Sequence, residues 1–225
     1  MSAALQYAVL WDVDGTLVDT AELHFEAWQK LATEIGKTYS REQFSATFGW
    51  RNREIFPEVF GEHYTLEEID ALGERKELYY REEAKKGLEL LPGVRELVAG
   101  LKAAGFGQAV GSSAPRGNVD LILEMTGLGE FISASVAMED VSRGKPDPEV
   151  FLTAAKRLGV PPERCVVFED APVGIRAAKA GGMKAVGVTF IQHHPAGKLR
   201  DEGADLIVGC LREVSADTVA KLLHG

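Results

Sequence analysis

Short apolar runs alternate with stretches of helical period along most of this chain. The runs fall at residues 7–11, 108–111, 134–137, 165–168, 184–188 and 206–208. Each is too short for a helix and is bounded by turn or acidic residues, so each reads as a buried strand. Between them lie helical segments: one opened by Pro92-Gly93 and closed by Gly105, one near 115–126, one from Pro148 to a stop at Gly159, and one near 173–180. Strands alternating with helices imply a parallel sheet covered on both faces. Ligands of such sheets bind beyond the carboxyl ends of the strands. The polar residues stand at those ends: Asp12 and Asp14, then Ser112 and Ser113, then Glu169 and Asp170.

One block interrupts the alternation. From Thr20, Leu23, Ala27, Trp28, Leu31 and Ile35 recur at helical spacing, and Gly36 marks a stop. Ser40 with Gln43, and Thr65 with Glu68, are capping-box patterns, the second opening a long charged helix towards Lys86 and Gly87. Residues 18–87 are therefore expected to be helical throughout, inserted directly after the first strand. The expected fold is an α/β, Rossmann-like parallel-sheet core (1–17 and 88–225) with a small α-helical cap (18–87) over the active edge.

The 34 acidic residues exceed the 25 basic ones across 225 positions, a formal net charge of -9. Such a surface repels nucleic acid and anionic lipid, so any positive charge that binds an anion must be local. No stretch approaches the ~20 apolar residues of a membrane span. Residues 1–7 have neither a basic start nor a long apolar run, so no secretory signal is expected. The two cysteines, Cys165 and Cys210, have no metal-type spacing and fit a reducing, cytoplasmic setting. Nothing in the chain requires more than a monomer or a weak homodimer.

Asp12 and Asp14, two apart at a strand end, face the same way and can converge on a cation such as magnesium. A carboxylate there can also be a nucleophile. Seen alone, Asp-Val-Asp-Gly is an ordinary turn. Ser112 and Ser113 precede a helix start, where free amides favour an oxyanion; the plain alternative is a helix N-cap. Lys145, between Gly144 and Pro146, offers a point charge for phosphate; the plain alternative is a solvated loop lysine. Glu169-Asp170 ends a wholly apolar strand, which requires a cation nearby. Together these are the parts phosphoryl transfer needs, since its catalysis is mostly positioning and charge neutralisation.

In this order the motifs resemble the haloacid dehalogenase superfamily, β-phosphoglucomutase-like branch. They are Asp12-Val13-Asp14-Gly15-Thr16, Ser112, Gly144-Lys145-Pro146-Asp147-Pro148, and Glu169-Asp170 before Ala171-Pro172-Val173-Gly174. The resemblance implies Asp12 as the phosphorylated nucleophile and Asp14 as the general acid/base, its backbone carbonyl on Mg2+. It implies Asp170 as a metal ligand, with Glu169 either a ligand beside it or a partner behind it. Ser112 would hold a phosphoryl oxygen and Lys145 would balance charge. In the cap, the resemblance points to His24 and Lys76 as facing the substrate, and to the 48–53 stretch, with Arg51, Asn52 and Arg53, as the place of a distal phosphate clamp. There the spacing departs by about one residue, and Trp50 is unexpected. His24 otherwise reads as a helix-surface histidine, and Lys76 as one member of the solvated run Glu74-Arg75-Lys76-Glu77.

The implied activity is hydrolysis of a small phosphorylated metabolite, a sugar phosphate first among them, through a phosphoaspartate. A phosphohexomutase is the alternative, if a sugar hydroxyl replaces water. A non-catalytic phospho-receiver shares an Asp, an acidic pair, a hydroxyl and a Lys. Receivers, however, place the acidic pair and the phosphorylated Asp on different strands and lack a helical insertion.

Overall fold

The computed structural model describes residues 6–224, so part of the 1–7 segment lies outside the described residues. Six strands form one sheet: β1 (Ala8–Trp11), β2 (Gly107–Gly111), β3 (Ala134–Val136), β4 (Cys165–Glu169), β5 (Lys184–Val188) and β6 (Leu206–Val208). Their order is β3-β2-β1-β4-β5-β6, and every pairing is parallel. β1 is central: Ala8 lies opposite both Gly107 and Cys165. The strand order reverses at β1, so its carboxyl end opens into the crevice where such sheets bind ligands.

Strand pleating divides the core. Val9 and Trp11 pack into one apolar cluster with Val110, Val166 and Phe168. Ala8 and Leu10 point the other way, into a cluster with Phe151, Val167 and Ile175. This alternation follows from the two-residue period of a strand, and both faces are buried because helices cover both. The helices involved are α5 (Val94–Ala103), α6 (Arg116–Thr126), α7 (Glu149–Leu158), α8 (Pro172–Ala180), α9 (Ala196–Asp201) and α10 (Ala216–His224). They follow four in the inserted stretch: α1 (Ala21–Glu34), α2 (Arg41–Thr47), α3 (Asn52–Phe60) and α4 (Leu66–Ala84).

Both capping boxes form as the residue types dictate. The side chain of Ser40 accepts from Gln43 N, and that of Thr65 from Glu68 N, each at 3.2 Å. The four helices enclose an aromatic core of their own around Phe25, Trp28, Tyr39, Phe44 and Phe56. Two features depart from expectation. The stretch is not purely helical at its base: Val18 bridges to Leu90, and Leu91 N donates to Leu17 O at 2.9 Å, so the chain enters and leaves the block side by side. The short helix α9 carries a single buried residue, Leu199, too little to register as a periodic pattern.

Candidate active site

Asp12 follows β1 directly, and its amide donates to Phe168 O at 3.0 Å, which ties it to the neighbouring strand β4. Lys145 reaches it across 133 residues of sequence: Nζ lies 2.6 Å from Asp12 Oδ1 and 2.7 Å from Glu169 Oε2. Lys145 is only 6% exposed, so the solvated-loop reading fails. Glu169 Oε1 accepts from the amides of Asp170 and Ala171 at 3.1 and 3.0 Å. Both Glu169 oxygens are therefore engaged, whereas Asp170 Oδ2 is buried without a partner.

Carboxylate oxygens of Asp12, Glu169 and Asp170 lie within 4.8 Å of one another. Three buried acids facing one lysine leave two negative charges uncompensated, an arrangement that a divalent cation would complete. The proton affinities express the same excess. Burial, then the Glu169 charge, raise the Asp12 carboxyl to about 8 against the opposing pull of Lys145. Burial and the charges of Glu169 and Asp12 push Asp170 well above the carboxylate range. Burial alone would lower the Lys145 ammonium, but Asp12 and Glu169 more than reverse this and raise it.

Two glycines make this crowding possible. A Cβ on Gly15, which has φ +88°, would sit 2.1 Å from Asp170 Oδ2, and one on Gly174 would sit 1.9 Å from Glu169 Oε2. The room at Gly15 is thus taken by Asp170 itself, and the room at Gly174 by the Glu169 side chain.

Asp14 does not converge with Asp12 on the acidic cluster, contrary to the expectation for its carboxylate. Its Oδ1 accepts from Thr20 Oγ1 and from His24 Nε2, the latter at 3.3 Å. Burial would raise this carboxyl, but the bonds from His24 and Thr20 and the charge of Lys76 outweigh it and hold it below the ordinary value. The two acids face two environments: Asp12 the cluster, Asp14 the helical block. Ser112 directly follows β2 with its amide on Val136 O, and its Oγ accepts from Ala114 N at 3.0 Å. Pro115, and neither serine, stands at the N-cap position of α6, which no side chain caps. Ser113 lines the same cavity as Ser112.

That cavity joins the strand ends to the helical block, and His24, Arg51, Asn52 and Lys76 line it too. Neither surface reading of the helical residues holds. Lys76 is 2% exposed, paired with Glu77 at 3.0 Å, and its Nζ lies 2.7 Å from His24 Nδ1. His24 stacks on Tyr80 with ring centroids 4.1 Å apart. Arg51 borders the cavity, with Nε buried and without a partner. Arg53 instead forms an exposed two-bond pair with Asp70 at 2.6 Å, away from the cavity lining.

Sequence reasoning missed Thr20, Glu77, Tyr80 and Asn118, all buried around Asp14, His24 and Lys76. One signal was available. Ile69, Gly73, Lys76, Glu77, Tyr80 and Ala84 repeat at helical spacing and form the buried stripe of α4. The pair Lys76-Glu77 lies within that stripe.

A sequence model of the haloacid dehalogenase-like hydrolase family matches residues 8–182. The chain is 36% identical over 224 residues to β-phosphoglucomutase of Bacillus subtilis, covering 96% of this chain and 93% of that one. It is 35% identical over 182 residues to the phosphorylated carbohydrates phosphatase of Thermotoga maritima, covering 80% and 83%. The crystal structure of β-phosphoglucomutase from Clostridium difficile superimposes with a TM-score of 0.87 at 25% identity, over 97% of each chain. The parallel sheet, its acid-bearing strand ends and these likenesses agree, and the chain belongs to the haloacid dehalogenase-like hydrolases.

Proposed function

We propose that this protein is a magnesium-dependent phosphatase of a small phosphorylated metabolite, a sugar phosphate first among candidates, acting through a phosphoaspartate on Asp12. The observation that carries the reading is the division of labour between two acids on one turn: Asp12 against Lys145, Asp14 against Thr20 and His24. A nucleophile and a proton carrier are needed side by side but must titrate separately. Residues 18–87 are read as the cap that closes over them.

The free Oδ2 of Asp170 and the excess acidic charge fit a divalent cation, so Asp170 and Asp12 would hold Mg2+ with the Asp14 carbonyl. Glu169, with both oxygens already bonded, orients Lys145 and the Asp170 amide behind them. The bound ion would neutralise charge on the phosphoryl oxygens.

An Asp12 oxygen attacks phosphorus as the bond to the leaving oxygen breaks, and Asp14, entering the step with the proton that the preceding cycle's water left on it, supplies that oxygen's proton. Water then gives its proton to Asp14 and attacks the phosphoaspartate, which releases phosphate and restores the Asp12 carboxylate. Lys145 offsets charge on Asp12 and the transferring group, and Ser112 donates to a phosphoryl oxygen. His24, Lys76, Asn52, Ser113 and Arg51 face the rest of the substrate. Two free cysteines fit a reducing cytoplasm, and the acidic surface argues against a nucleic-acid partner. Among the described residues no helix is long and apolar enough to cross a membrane.

Likeness to two β-phosphoglucomutases supports a second reading, transfer to a sugar hydroxyl. Phosphorus NMR with magnesium, a panel of sugar phosphates and a trace of bisphosphate separates the two. Growth of inorganic phosphate establishes hydrolysis. Conversion of a 1-phosphate to a 6-phosphate with little free phosphate establishes the mutase. No change with any substrate overturns both.

A further inference from the structure

The carboxylate of Glu77 takes no part in the chemistry above, yet it is 2% exposed and lies where three helices meet. Its Oε1 accepts from Asn52 Nδ2 on α3 and from Lys76 Nζ, each at 3.0 Å. Its Oε2 accepts from Asn118 Nδ2 on α6 at 2.7 Å. Asn118 is fully buried, and its Oδ1 accepts from Arg81 Nη1 at 3.0 Å. Helices α3 and α4 belong to the inserted block and α6 follows strand β2, so these bonds cross from one to the other.

The far end of the chain of bonds reaches the proposed acid/base. Lys76 Nζ lies 2.7 Å from His24 Nδ1. An ammonium has only hydrogens to give, so Nδ1 must accept with its lone pair. The proton of a neutral imidazole is then on Nε2, the nitrogen 3.3 Å from Asp14 Oδ1. A buried ammonium needs an acceptor against it and a negative charge within the same buried network, and Glu77 supplies both.

We propose that Glu77 and Asn118 are positioning residues, a buried bridge between the inserted block and α6 that holds Lys76 on His24 and fixes His24 as the Nε2–H tautomer donating to Asp14. The inference rests on the reading of Asp14 as the proton carrier. It makes the donors to Asp14 depend on contact between the block and α6: once that contact is lost, Glu77 loses Asn118 and Lys76 is no longer fixed.

Three proteins test it, with magnesium bound: wild type, Asn118→Asp, and Asn118→Asp combined with Glu77→Gln. The first substitution sets a second carboxylate against Glu77. The combination moves the negative charge across the contact to position 118 and reverses the bond, leaving an amide oxygen at position 77 to accept from Lys76, while Arg81 still donates. Ring-nitrogen NMR of labelled histidine should show a wild-type His24 with Nδ1 unprotonated and Nε2 protonated. Asn118→Asp should lose that pattern and lower kcat about tenfold or more with KM changed by less than about threefold. The combined protein should recover both. A wild-type Nδ1–H tautomer, an Asn118→Asp protein with the wild-type pattern, or a combined protein that recovers neither, overturns the bridge. Should Asn118→Asp fail to fold, Asn118→Ser removes the amide without adding charge and should lose the same pattern. The NMR readout needs no turnover, so a protein that passes it yet hydrolyses no phosphomonoester overturns the proposed activity and leaves the bridge standing.

Discussion

Lys145 Nζ lies 2.6 Å from Asp12 Oδ1, inside the fold, with Glu169 on its other side. Removing one partner of a buried ion pair costs about 3–5 kcal/mol, because the remaining charge is stranded. Lys145→Ala should therefore abolish most turnover and also lower the thermal midpoint of the metal-free protein. Magnesium should recover part of the midpoint and little of the rate. Calorimetry and phosphatase assays on the same samples check both. An unchanged rate would remove Lys145 from the mechanism.

Asp12→Asn should leave the fold intact and eliminate detectable phosphoenzyme. It also removes one of the clustered buried acids, so the metal-free variant should melt no lower than wild type at pH 8. Mass spectrometry of protein trapped during turnover, beside a melting curve, tests the two halves of this expectation.

Proton linkage gives a third expectation. The Asp12 carboxyl is raised from 3.8 to about 8, so between those values the folded metal-free protein binds more protons than the unfolded one. Stability from this group is full below about pH 4 and is lost as pH rises through about 8. Magnesium needs the ionised acid, so its affinity should strengthen up to about pH 8, with proton release on binding below that. Titration calorimetry in two buffers of different ionisation enthalpy measures the released protons. Chelation of the metal should abolish activity at every pH.

The two arginines near the start of α3 should differ. Arg51 lines the cavity with its Nε unpartnered, so Arg51→Ala should raise KM for a substrate bearing a second anionic group more than for one without. Arg53 is paired with Asp70 at the surface, an interaction worth about 0–1 kcal/mol, so Arg53→Ala should leave both KM and kcat near wild type. Steady-state kinetics on a matched mono- and bisphosphate pair decides.

Replacing His24 with Gln, or Lys76 with Met, should lower kcat within the roughly 10²–10⁴-fold span of general acid–base catalysis, towards its lower end because Asp14 remains. Single-turnover measurements separate formation of the phosphoenzyme from its hydrolysis. A loss confined to KM would assign both residues to substrate binding alone.

The strand ends were legible in the sequence because an apolar run stopped by acids has few structural explanations; Asp12, Glu169 and Asp170 are gathered as their positions suggest. Lys145 was legible through its flanking residues and the resemblance, although its burial was not. The carboxylate of Asp14 was misdirected, since strand periodicity ceases at the turn and Thr20 and His24 compete for it. Glu77 stood within the buried period of α4, but nothing local paired it with Asn118, because a polar contact between distant helices leaves no pattern in sequence. Asn118 by itself reads as an ordinary helix residue.

The single turn that carries Asp12 and Asp14 wires them to different parts of the molecule. Lys145, Glu169 and Asp170 surround Asp12 from the strand ends and their loops, whereas His24 and Lys76 lie on the inserted helices α1 and α4. On the proposed reading of residues 18–87 as a cap, its opening would leave the phosphate-handling residues in place and withdraw the proton-handling ones. A phosphorylated Asp12 exposed by opening would meet bulk water without an organised base to activate it. Such an enzyme would let one molecule out and another in without squandering the group it had captured.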